Sequence, residues 1–182
     1  CSRALIKIGA ASITGFTDGT AEAEVADALY GSTRDALLSA NAWSFATVQA
    51  TLARLAEAPL GDHGFAHALP VDFLRALSAG VPGRGRGIGY RIVGTTLQSD
   101  ADQVTLTYVS RPAEAAFPPF FDQALIARLA AEFCLPLTEN SSRAEALARL
   151  AEAEFRRARL IDVQQDSQPG FEDFTLVEAR GR

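Results

Sequence analysis

A chain of 182 residues, 48% apolar and 21% charged, is long enough for one medium domain with a small inserted subdomain and has a globular composition. Its apolar runs fall short of the roughly 18 residues that cross a bilayer, and its two cysteines, Cys1 and Cys134, exclude a disulfide framework. A net charge of −5 speaks against a protein that grips nucleic acid through its phosphates. Methionine is absent, so the sequence is expected to start after its initiator, with a few residues before Cys1 missing or removed. No charged-then-apolar leader is visible. A lipid anchor at Cys1 is disfavoured, because helical patterning begins at once where such an anchor needs a tether.

In chain order, Ala4, Leu5 and Ile8 predict a short helix over 2–9, stopped by Gly9. Residues 12–19 read as a loop. Thr20 can cap a long helix to about Asn41, with Val25, Ala26, Leu29, Tyr30, Ala36, Leu37 and Ala40 on its apolar arc and Glu24, Asp27, Arg34 and Asp35 opposite. Leu38 falls among those charges, which marks it as an exposed candidate for a subunit contact. Residues 47–55 are ambiguous between helix and strand. Tyr90–Val93, Thr96–Gln98 and Val104–Val109 predict a small antiparallel meander turning at Gly94 and at Asp100–Asp102, with Val104, Leu106 and Tyr108 on one face.

Helices return after Pro118-Pro119. Phe120–Leu135 is apolar around almost its whole circumference, the pattern of a bundle centre, and Pro136 is expected to end it. Cys134 lies within this stretch and is expected as a small buried hydrophobe. Asn140 or Ser141 can cap a last helix striped by Ala144, Leu147, Ala148, Ala151, Phe155 and Ala158, with Glu145–Arg149 and Glu152–Arg156 as i,i+4 pairs. The resulting expectation is an α+β protein. It is mainly a helical bundle of about four helices, with an inserted small antiparallel β-rich lobe and an extended C-terminal tail. The bundle takes 1–46 and 112–161, the lobe 47–111 and the tail 162–182. Beyond Pro169-Gly170 the tail holds an apolar cluster, Phe171, Phe174, Leu176 and Val177. Such a cluster either folds back on its own domain or docks on a neighbour, where Thr175–Val177 has the β character for strand addition.

A search for chemistry finds two apparent motifs, and both fail on spacing. His63 and His67 are four apart, but Gly64 stands where a zinc-protease helix needs Glu, and no third ligand is evident. They are expected to be loop histidines. The stretch Gly83-Arg-Gly-Arg-Gly-Ile-Gly89 fits neither the dinucleotide nor the nucleotide phosphate-loop frame. It is either a solvated connector or a cationic loop whose Arg84 and Arg86 touch DNA phosphates or an acidic partner. No Gly-x-Ser-x-Gly elbow occurs, and the carboxylate pairs lie on solvated helix faces. Neither catalytic residues, nor a cofactor, nor a metal site is expected, and the chain is expected not to be an enzyme.

The residues that carry a resemblance run through most of the chain. They begin with Ala4-Leu-Ile-Lys-Ile-Gly9 and Ile13-Thr-Gly-Phe-Thr-Asp-Gly-Thr-Ala-Glu-Ala23, followed by Arg34-Asp-Ala-Leu-Leu38 and Trp43-Ser-Phe-Ala46. Next come Ala50-Thr-Leu-Ala-Arg-Leu-Ala-Glu-Ala-Pro59, Leu69-Pro-Val-Asp-Phe-Leu-Arg75 and Tyr90-Arg-Ile-Val93, and the 121–139 stretch with Pro136-Leu-Thr138 closes the set. As an ordered set they resemble the tail tubular protein A family, the head-to-tail adaptors (connectors) of tailed phages. The Gly-Arg loop and the segment after 166 lie outside that pattern. The resemblance implies a virion structural protein of the neck, assembled in the host cytoplasm. It would form a homo-oligomeric, dodecameric ring between the portal protein and a downstream tail or stopper protein. DNA would pass through the ring during ejection without specific binding, and no membrane would be involved. Acidic subunits suit a conduit that repels passing DNA. The alternatives are another neck or tail component (a stopper or tail terminator), a tail-associated hydrolase, and a lipoprotein beginning at Cys1.

Overall fold

A computed structural model describes residues 1–165. The protein is α+β, with four α-helices and two antiparallel three-stranded sheets among the described residues. Helix α1 (Ser2–Ile8) stops at Gly9, whose left-handed backbone (φ 77°) lets its N–H cap the last turn. Helix α2 (Ala21–Ser39) begins where the Thr20 hydroxyl accepts the Ala23 N–H at 3.2 Å, with Glu22 and Glu24 at the positive end of the helix dipole. Six strands follow: β1 (Thr47–Thr51), β2 (Phe65–Ala68), β3 (Phe73–Gly80), β4 (Arg91–Val93), β5 (Thr96–Ser99) and β6 (Thr105–Ser110). A single 3-10 turn, Glu114–Ala116, leads into α3 (Pro119–Thr138) and α4 (Ser141–Val163).

Helix α3 is the bundle centre that its apolar circumference predicts. It touches α1, α2 and α4 and buries Phe121, Leu125, Leu129 and Phe133 together with Cys134. Full burial of side chains of this size stabilises by about 1.5–3 kcal/mol each. Pro136 does not end the helix. It sits in the last turn, which closes at Glu139 (φ 54°), whose N–H reaches the Leu135 carbonyl at 3.0 Å. Proline is tolerated there because it disturbs only the helix terminus, and the Thr138 hydroxyl donates to the Cys134 carbonyl at 2.6 Å. Asn140 then caps α4, accepting the Arg143 N–H at 2.9 Å. The connection is only two residues long, so α4 must return antiparallel along α3. Its stripe packs inward through Ala151, Phe155 and Ala158, while Ala148 is exposed. The Glu145–Arg149 pair spans 4.0 Å on the outer face.

The β region differs from the expected meander. Strands β4 and β5 do form a hairpin through Gly94 (φ 56°), but β5 then pairs with β2, giving the order β2-β5-β4. Strand β6 leaves for the other sheet and lies in the middle of β1-β6-β3. The reason is that β6 has buried side chains on both faces, with Thr105 and Thr107 half-buried. Val104, Leu106 and Tyr108 enter a core between the sheets with Leu52, Ala79 and Leu97, while Val109 joins the helical core. A strand with two buried faces takes a central position and is not the edge of a meander. Of the ambiguous 47–55 segment, Thr47–Thr51 becomes β1, in register with β6 from Thr47↔Val109 to Thr51↔Thr105, and Arg54 makes an isolated bridge to His67.

At the junction of helices and sheets, Trp43 is fully buried and donates its indole N–H to the Leu37 carbonyl at 3.0 Å. Phe121 meets it edge-on at 5.2 Å, and Phe45 meets Phe121 at 5.0 Å. Such pairs add about 0.5–1.5 kcal/mol each beyond burial.

Candidate functional site

Leu38, expected on the surface, is wholly buried in the helical core. The charges beside it are themselves covered. Asp35 accepts from Arg34 Nε at 2.9 Å and from Arg111 at 2.6–3.0 Å, and the Tyr30 hydroxyl donates to Glu114 at 2.5 Å. Helix α2 is therefore flanked on this side by β3, β6 and the 111–116 segment, and its polar residues staple that segment in place. Burial would raise the Asp35 carboxyl, but the hydrogen bonds and charges of Arg111 and Arg34 hold it below the usual carboxylate range. Burial, reinforced by the bond to Glu114, pushes the Tyr30 phenol above its ordinary value.

Two alanines of the expected apolar arc, Ala36 and Ala40, are exposed instead. With Leu29, Leu37 and Phe155 they line an open groove of about 450 Å³ between α2, α3 and α4. Its charged lining residues include Arg128 and Glu132, paired at 2.9 Å. Elsewhere apolar side chains are strongly exposed in the lobe, at Leu60 and Val71 (109% and 100%), on α1 at Ile6 (62%), and at the end of α4, at Leu160 and Val163 (69% and 62%). The last two are three residues apart and share a helix face.

The expected loop character of the histidines holds for His63 but not for His67. His67 lies in β2, is wholly buried, and places Nε2 3.2 Å from the Asp102 carbonyl. His63 Nδ1 approaches Asp100 at 3.5 Å. Among the described residues no group of three or more His, Cys, Asp or Glu side chains is arranged to hold a metal.

The Gly-Arg loop is anchored to its own sheet. Val81 and Arg84 form an isolated antiparallel bridge, Ile88 N–H donates to the Ala79 carbonyl at 3.1 Å, and the Ser78 hydroxyl donates to the Gly85 carbonyl at 2.9 Å. Gly80 lies so close beneath the Arg84 carbonyl that a Cβ there would overlap it. The side chains of Arg84 and Arg86 are exposed. The tail residues Phe171, Phe174, Leu176 and Val177 lie outside the described residues.

One buried polar contact had no counterpart in the sequence reading. Asp162, 4% exposed, accepts from the Ser44 N–H at 3.1 Å and from the Ser44 hydroxyl at 2.7 Å, tying the end of α4 to the Trp43–Phe45 turn. A signal was present: Asp162 continues the inward stripe of Phe155 and Ala158 at helical spacing.

The fold defines a class, an α+β protein with a helical bundle and a small two-sheet lobe. No family model matches the chain, and no curated protein matches it. Among the described residues no helix is long and apolar enough to cross a membrane.

Proposed function

We propose that the protein is a structural head-to-tail adaptor of a tailed phage, a non-enzymatic subunit of a dodecameric ring between portal and tail through which DNA is ejected. The ordered set of segments from Ala4-Leu-Ile-Lys-Ile-Gly9 to Pro136-Leu-Thr138 carries this reading. Closed rings need two different, complementary patches on each subunit, because their contacts are head-to-tail. Apolar side chains on sequence-distant parts of the surface, Leu60 and Val71 in the lobe and Leu160 and Val163 on α4, are available for that purpose. The open groove beside Ala36 and Ala40 offers a third concave contact.

The test is to mix the purified chain with portal rings and image the product by electron microscopy, with copy number from light scattering. Twelve copies seated on one face of the portal are expected. A chain that stays monomeric and never joins the portal defeats the reading, and six copies on a tail tube point to a terminator instead.

A further inference from the structure

The net negative charge hides a local reversal. Residues 73–99 contain Arg75, Arg84, Arg86 and Arg91 and no acidic residue, and the three strands of the β1-β6-β3 sheet carry no Asp or Glu at all. Above this sheet the Gly-Arg loop is held by main-chain contacts. The Gly85 carbonyl accepts from Ser78, Gly80 lies against the Arg84 carbonyl, and Gly85 rests on Gln49 and Thr107, which pair with each other at 3.1 Å. By register Gln49, Thr107 and Ser78 form one cross-strand row, so the loop lies on a neutral polar face. Neither Arg84 nor Arg86 makes an ion pair among the described residues, and both side chains are exposed.

We infer that the anchored 81–89 loop is a contact for the phosphate backbone of duplex DNA, with Arg84 and Arg86 as the phosphate-binding groups. This rests on the conduit reading for its biological setting. The chemistry is that of phosphate recognition. Guanidinium forks pair with phosphate oxygens, and no neighbouring carboxylate on the sheet competes for them. Gly83, Gly85 and Gly87 add no side chain around the two arginines, so a bulky backbone can approach closely. Between Pro82 and Gly87 the loop offers no large apolar side chain, and Val81 (44% exposed) and the half-buried Ile88 at its ends are small beside the aromatic anchors on which protein partners usually depend. Two cations on an acidic subunit bind weakly and without sequence preference, which suits DNA that must keep moving. Repetition around a ring multiplies that weak contact.

The experiment is fluorescence anisotropy of a labelled duplex with the full chain over a salt series, run on wild type and on the double variant Arg84→Glu with Arg86→Glu. The control is Arg156→Glu with Arg157→Glu on the exposed face of α4, which changes the net charge equally. Because the loop is anchored through its main chain, circular dichroism of the loop variant should match wild type. Wild type is expected to bind weakly at about 50 mM salt, and the loop variant to lose about tenfold in affinity with a log–log salt slope shallower by about two. The control should lose clearly less. Equal losses in both variants, no wild-type binding at low salt, or a loop variant that loses portal association while DNA binding is unchanged would each overturn the inference. Ring assembly scored on the same samples separates the two readings. Rings with no loop-dependent DNA contact defeat this inference alone, and loop-dependent binding without rings defeats the adaptor reading alone.

Discussion

Leu38 shows how a helical wheel can mislead at the scale of one residue. The charges around it pointed to water, yet Arg34 and Asp35 pair with Glu114 and Arg111, and Leu38 is buried in the helical core. Leu38→Ala should therefore cost about 2–5 kcal/mol in a urea unfolding experiment, the range for a buried leucine truncated to a cavity. A surface contact residue would leave the monomer's stability nearly unchanged. Asp162 is the converse case, a carboxylate on the inward stripe. Asp162 is buried but its partner Ser44 is exposed, so Asp162→Ala should lower stability by about 1–2 kcal/mol. The loss should exceed that of Asp162→Asn, which keeps an acceptor oxygen. If Asp162→Asn melts like wild type, the charge is irrelevant to the tie; if it melts like Asp162→Ala, a neutral acceptor does not replace the carboxylate.

Among the elements, the contact between α2 and the 111–116 segment depends on ionisation. The Asp35 carboxyl is held below its ordinary range in the folded state, so it contributes stability that is present above the unfolded value of about 4. That contribution disappears as pH falls through the folded value. Stability measured from pH 6 downward should fall in the acid range for wild type and fall less in Arg111→Ala, which loses the main partner of Asp35 but retains Arg34. Identical acid profiles would remove Asp35 as a source of the pH dependence. Burial and the bond to Asp72 push the Tyr108 phenol up to about 12, so it remains protonated well past pH 10 in the core between the sheets. Helix α4 illustrates a connection fixed by two residues. Glu139 takes the left-handed turn and Asn140 caps the next helix, which folds α4 along α3.

For the whole molecule, the two cores meet through β6, which gives Leu106 and Tyr108 to the inter-sheet core and Val109 to the helical one. Both cores contain many side chains from residues 4–158. Under the adaptor reading, removing 169–182 is expected to leave a monomer with a cooperative melt while weakening ring assembly or portal docking. Loss of the cooperative melt on truncation would instead make the apolar tail part of the fold.

The sequence by itself determined where the helices lie and the central place of α3, because those depend on local chemistry: Thr20 as a cap, Gly9 as a stop, and an apolar circumference that only a bundle interior can hold, whereas the choice of Asn140 over Ser141 as cap and the end of α3 beyond Pro136 came from the structure. It also located the strands at 90–93, 96–98 and 104–109. Only the tertiary structure decided which strands pair, since Val104, Leu106 and Tyr108 are the same residues at a meander edge or at a sheet centre, and Val109 settles the matter by needing cover on the other face. Tertiary structure likewise buried Leu38 and His67, and opened Ala36 and Ala40 to a groove, because the side of a helix or strand that meets water depends on what else arrives there. The Gly-Arg loop gained its anchored form in the same way. Its arginines were legible as cations, but the neutral sheet face that holds the loop in place joins the nearby Ser78 to Gln49 and Thr107, which the fold brings in from earlier and later strands.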